Sequence, residues 1–158
     1  MSKEIPTPLE IRRKLEHYCA YQDRCHQEVT EKLRSYGVST NESDEIIAHL
    51  IAHNFLNEER FACSFARGKH RIKHWGKIRI VNELKFRGMT QYNINTALKE
   101  ITPEMYAETF HDLSERLWES LRNEKGPKKN KKFCDYLLRK GFESPLVYER
   151  LKALNSTS

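Results

Sequence analysis

Three times this chain runs Leu-x-x-x-Gly and then an apolar residue: Leu33 to Val38, Leu84 to Met89 and Leu137 to Phe142. Glycine just past an apolar helical stripe is a common way to stop a helix, because it takes the left-handed conformation without a Cβ penalty. One such stop carries no information about a fold, but three in register do. Eight residues before Gly37, Gly88 and Gly141 stand Val29, Ile80 and Phe133. Six, ten and thirteen residues after the second and third glycines stand Ile94, Leu98 and Ile101, then Val147, Leu151 and Leu154. The first copy fits after a three-residue insertion, as Ile46, Leu50 and then His53. The glycines are 51 and 53 residues apart, room for three helices, so the spacing predicts a tandem helical repeat.

The expected fold is all-α: three tandem three-helix repeats in an elongated, curved stack of either hand. Six glycines and five prolines are too few for a β fold rich in tight turns. Hydrophobic residues at 38% against 32% charged suit a stack with much exposed helix surface. The boundaries expected are a loose N-terminus over 1–8, repeats over 9–56, 57–101 and 102–154, and a fraying tail over 155–158. Thr102-Pro103 and Ser144-Pro145 read as helix starts. The polar run Ser39 to Glu45 and the Gly126-Pro127 pair read as places to flex, and the third helix of the second repeat reads as about 90–101.

The second repeat is the most basic part of the chain. Between Arg60 and Arg87 lie nine Lys or Arg and one acid, Glu83, within a net charge of +6. At 3.6 residues per turn Arg60, Arg67, Arg71 and His74 share one stripe, and Phe61, Phe65 and Ile72 share another to be buried. The next helix starts after Trp75, with Gly76 as its N-cap. Arg79, Glu83 and Arg87 are spaced for an i, i+4 ladder, whereas Lys69, Lys73 and Lys77 have no such partner. A one-sign run of this length points to an anionic partner. The residues assigned to the binding face are Arg60, Arg67, Lys69, Arg71, Lys73, Lys77, Arg79 and Arg87. Trp75 either caps that face or packs between repeats, with packing preferred. The run Lys125 to Lys132 either extends the surface or forms a soluble loop.

Chemistry of other kinds finds little support. His17, Cys19, Cys25 and His26 match no standard zinc spacing, and Tyr18 and Cys19 suit a core face. His70 and His74 stand at i, i+4, but Arg71 and Lys73 between them would repel a cation. No phosphate-cradling loop or nucleophile motif is present. The expectation is a protein without metal, cofactor or catalytic residues, its four thiols reduced and mostly buried. No apolar run is long enough to span a bilayer, and the N-terminus lacks a signal-peptide core, so a cytoplasmic location is expected.

Glu59-Arg60-Phe61-Ala62, Phe65-Ala66-Arg67, Trp75-Gly76-Lys77-Ile78-Arg79, Glu83-Leu84 and Arg87-Gly88-Met89 resemble the central signature of the RecX family. The resemblance is specific over some thirty residues; length, charge and the threefold repeat accompany it. It implies three tandem three-helix repeats that lie in the groove of the RecA–DNA filament. It further implies inhibition of the recombinase's ATPase, strand-exchange and co-protease activities, with no catalytic residues in the regulator. The implied partners are the RecA filament and DNA, mainly through the filament, with a monomeric regulator and no membrane. Two rivals are a stand-alone helical DNA-binding module and a scaffold whose basic face meets an acidic protein.

Overall fold

The computed structural model describes residues 6–157, which form nine α-helices and no strand. They are α1 (Pro8–Tyr21), α2 (His26–Ser35), α3 (Thr40–Ala52), α4 (Glu58–Lys73), α5 (Lys77–Phe86), α6 (Gln91–Leu98), α7 (Pro103–Ser120), α8 (Gly126–Lys140) and α9 (Ser144–Thr157). The principal packing pairs fall within α1–α3, α4–α6 and α7–α9, three consecutive three-helix units. The loose N-terminus expected over 1–8 lies outside the described residues up to position 5, and so does Ser158.

The glycine frame is where the spacing places it. Gly37, Gly88 and Gly141 have φ of 67°, 76° and 100°. Leu33, Leu84, Leu137, Val29, Ile80 and Phe133 are all fully buried, so each unit hangs on the same two layers of one helix. Starts are set by side chains: Thr7, Ser39, Asn57, Thr90 and Thr102 each accept a hydrogen bond from a backbone N–H of the following turn.

Several local expectations are corrected. The polar run Ser39 to Glu45 does not precede α3 but forms its cap and opening turns, because Ser39 accepts from the Glu42 N–H and Glu42 faces the helix N-terminus. In α6, Thr90 is the cap and the helix ends at Leu98; Ile101 is buried from the following turn. At the C-terminus, Asn155 to Thr157 continue α9, with the Ser156 and Thr157 hydroxyls donating back to the Lys152 and Ala153 carbonyls. On α4 the buried face is Phe61, Ala62, Ala66 and His70, while Ile72 is 72% exposed. His74 is not helical: it closes α4 in the left-handed region, at φ 58°.

The units are not equivalent. Ile11, Leu15, Cys19, Val29, Leu33, Ile46, Leu50 and Leu56 make a core that belongs to the first unit. The second and third units share one core, from Phe61 through Ile80 and Phe110 to Val147, which among the described residues takes only Cys25 from the first. The shared core continues into a backbone junction. The Gly76 N–H donates to the Lys140 carbonyl at 2.8 Å and the Ile78 N–H to the Gly141 carbonyl at 3.0 Å. The Lys77 N–H donates to the Tyr106 hydroxyl at 3.1 Å, and that hydroxyl donates to Glu143. The unpaired N–H groups that open α5 are thus met by the unpaired carbonyls that close α8. Contact this close requires glycine on both sides: a Cβ on Gly76 would lie 2.3 Å from the Gly141 carbonyl, and one on Gly141 would lie 2.4 Å from Arg79 Cβ.

Gly76→Ala should therefore destabilise the protein by about 3 kcal/mol through overpacking of backbone on backbone. Gly68→Ala should stabilise it by about 0.5–1 kcal/mol, because Gly68 sits inside α4 with nothing within 4 Å of its Cβ position. Urea unfolding of both variants checks the opposite signs. His74 supplies a pH test. Burial, then the charges of Arg116 and Lys140, hold its imidazole below its ordinary pKa. A folded-state pKa below the unfolded one means stability that is complete above the unfolded value and is lost as pH falls through it. The urea midpoint should fall as pH drops below about 6.5, the ordinary histidine value, and His74→Asn, which suits a left-handed position, should reduce that fall.

A cation–aromatic surface on the second repeat

Asn57 opens α4: its carboxamide accepts from the Arg60 N–H at 2.9 Å and donates to Asn54 at 2.9 Å. Glu58 and Glu59 then occupy the first turn and His70, Arg71 and Lys73 the last, the order that the helix dipole favours. From this helix Phe61 and Phe65 stack at 5.7 Å, and Trp75 meets Phe65 edge-on at 6.1 Å. Cations lie over this row of rings. Arg87 stands 5.2 Å from Phe65 and 5.7 Å from Phe61, Lys69 stands 5.0 Å from Trp75 and 5.5 Å from Phe65, and Arg79 stands 4.1 Å from Trp75. Lys77 continues the row at 4.7 Å from Tyr106. Each contact contributes about 0.5–1 kcal/mol at a partly exposed site. Together they hold four long side chains in place, so less freedom is lost when an anion arrives.

The eight assigned cations divide into four groups. Lys69, Lys77 and Arg79 form the ordered row, and Arg71 and Lys73 stand exposed beside it at the end of α4. Arg67 is exposed but pairs with Glu100 at 3.2 Å. Arg60 and Arg87 tie the second unit to the first. Arg60 binds Asp23 at 2.7 Å and donates to the Asn54 and Phe55 carbonyls. Arg87 stands 3.9 Å from Glu28 and 3.9 Å from the Cys25 Sγ. A cleft of about 330 Å³ opens between these units, and its walls carry Asp23 and Glu28 opposite Lys69 and Arg87, so it is of mixed sign. Arg60 is thus engaged as a clamp between the two units.

The expected Arg79–Glu83–Arg87 ladder does not form, since Arg79 turns to Trp75 and the Arg139 carbonyl at 3.3 Å, and Arg87 to Glu28. Trp75 does both things considered for it: it packs against the shared core and it carries cations on its ring. The lysine run is not a loop. It forms the start of α8, where Lys128 and Lys132 pair with Glu124, Lys131 with Asp135, and Lys129 covers Trp118 at 3.8 Å. One basic neighbour of this surface escaped sequence reasoning: Lys140 of α8, whose ammonium donates to the Lys73 carbonyl at 3.0 Å and brings another charge to the end of α4. Burial, then the charges of Arg79 and Lys73, push its pKa down. The ring contacts did have a signal, because Phe65 and Lys69, like Trp75 and Arg79, are four residues apart.

His70 is a core residue. Its ring stacks on Tyr106 at 5.4 Å, and its Nδ1 donates to the Trp75 carbonyl at 2.9 Å, fixing the turn that presents Trp75. Among the described residues no three His, Cys, Asp or Glu side chains come together as a metal site, and no helix is long and apolar enough to cross a membrane. The surface presents fixed positive charge over aromatic faces, an arrangement suited to binding an anion.

Residues 57–98 match the family model described as RecX, second three-helix domain. A regulatory protein RecX of Pseudomonas savastanoi is 30% identical over 112 residues, which cover 71% of each chain. A regulatory protein RecX of Limosilactobacillus reuteri is 28% identical over 135 residues, 85% of this chain and 51% of that one, so the chain spans about half the length of this relative. The crystal structure of RecX from Lactobacillus salivarius is similar with a TM-score of 0.79 at 26% identity, covering 94% of this chain and 96% of that one. The glycine frame, the basic second unit and these likenesses together mean that the chain belongs to the RecX family of regulatory proteins.

Proposed function

We propose that this chain regulates the RecA recombinase by lodging its second repeat in the groove of the RecA–DNA filament and inhibiting ATP hydrolysis, strand exchange and co-protease activity. Family membership supports the recombinase as partner, and the ordered row of Lys69, Lys77 and Arg79 over aromatic rings is the observation that carries the mode of contact. A filament groove would offer DNA phosphate and acidic side chains to this surface. A stack of fixed cations is drawn to such a surface at long range, and its hold weakens as salt rises. Arg71 and Lys73 supply the exposed charge, Arg67 contributes when Glu100 releases it, and Arg60 and Arg87 keep the first repeat attached. On this reading the protein acts in the cytoplasm as a monomer, by occupancy rather than by catalysis, and needs no cofactor.

The test is single-stranded-DNA-dependent ATP hydrolysis by the host's recombinase, titrated with wild-type protein and with Arg71→Glu/Lys73→Glu. Half-maximal inhibition should move to about tenfold higher concentration in the variant while the helical circular-dichroism signal stays the same. Equal inhibition by both proteins would remove this face from the mechanism. Tight DNA binding without any effect on the recombinase would replace the proposal with a stand-alone DNA-binding module.

A further inference from the structure

A second basic and aromatic site lies in the first repeat, away from the surface described above. On α1, Arg13, Lys14, Tyr18 and Tyr21 fall on one face, and across from them α2 and its end bring Lys32 and Tyr36. They line an open groove of about 480 Å³, within the roughly 300–1,000 Å³ range of small-ligand sites. Among the described residues its lining includes no carboxylate. Of the acids of these helices, Glu10 caps α1 with Thr7, Glu16 meets Arg12 and His49, and Glu28 meets Arg24 and Arg87, while Glu31 is exposed on α2 outside the lining. Charge of one sign is therefore segregated into the groove.

The rings are arranged to receive a flat group. Arg24 covers one face of Tyr18 at 3.7 Å, and Lys14 and Lys32 stand 5.4 Å and 5.9 Å from Tyr36. Tyr21, the last residue of α1, is 77% exposed, and its ring carries no partner among these contacts. An acidic peptide would satisfy the ammonium groups and leave that ring in water. A chain of unpaired nucleotides satisfies both, because bases stack on tyrosine while the phosphates between them meet lysine and arginine. A duplex keeps its bases stacked inside and has no face to offer Tyr21. We infer that the groove between α1 and α2 is a binding site for single-stranded nucleic acid, with a base stacked on Tyr21 and the backbone held by Arg13, Lys14 and Lys32.

The test needs no recombinase, so it stands or falls separately from the filament proposal. A fluorescent oligothymidylate is titrated with the full chain and followed by anisotropy. Tyr21→Ala should weaken binding about tenfold, as expected for the loss of one base stack. Lys14→Glu/Lys32→Glu should weaken it at least as much, and Tyr92→Ala, which removes an equally exposed tyrosine from α6, should leave it unchanged. Urea midpoints close to wild type would show that the variants are folded. Wild-type binding by Tyr21→Ala, equal affinity for an abasic oligomer, or failure of the wild type to bind would each overturn the inference. Polyglutamate competing as well as unlabelled oligothymidylate would overturn it too, and would assign the groove to an acidic protein segment.

Discussion

Two helix ends that finish each other hold this molecule in register. The start of α5 has N–H groups without partners and the end of α8 has carbonyls without partners, and the two sets bond directly, at 2.8 Å and 3.0 Å. The positive end of one helix dipole thereby faces the negative end of another. Glycine at positions 76 and 141 is what lets the backbones come so near. Much follows from this contact. It fixes where Trp75 leaves α4, it lays Arg79 across the Trp75 ring, and it brings Lys140 to the Lys73 carbonyl. The cation–aromatic surface is thus a product of the second and third repeats together, not of the second alone.

The other junction is built from different forces. Between the first and second repeats the contacts are Arg60 with Asp23, Arg87 with Glu28, the Gln27 amide with the Phe86 carbonyl, and the Glu58 carboxylate with the His26 N–H. Among the described residues only Cys25 of the first unit joins the shared core. Burial keeps the Glu58 carboxyl above its usual pKa, a sign that this polar seam is partly withdrawn from water. A protein that reads as three similar units is therefore mechanically a pair and a single.

What could be read from the chain depended on whether a residue answers to its own helix or to a distant one. Gly37, Gly88 and Gly141 obey a local rule, so their positive φ and the burial of Leu33, Leu84 and Leu137 were legible. Gly76 was legible as a cap, but its closeness to Gly141 was not, since the two are far apart in sequence. His70 was read beside His74 on one helix; the turn at His74 and the ring of Tyr106 from another repeat make it a core residue. Arg79 and Arg87 had the spacing for a ladder through Glu83, yet an indole face and a carboxylate from the first repeat win them. Long cations are the residues whose partners sequence spacing predicts least well, because their reach exceeds one helical turn. The basic character of the second repeat was plain in the sequence; which of its charges are free for a partner depends on those distant contacts.

The ion-paired seam bears on how this molecule answers to ionic strength. Arg60–Asp23 and Arg87–Glu28 are only partly shielded from solvent, so added salt screens them as it screens any cationic face. The same ions that weaken attraction to a polyanion also loosen the tether between the single repeat and the fused pair. A log–log plot of affinity against salt would then be steeper than the displaced counterions alone require, because part of its slope would come from inside the protein.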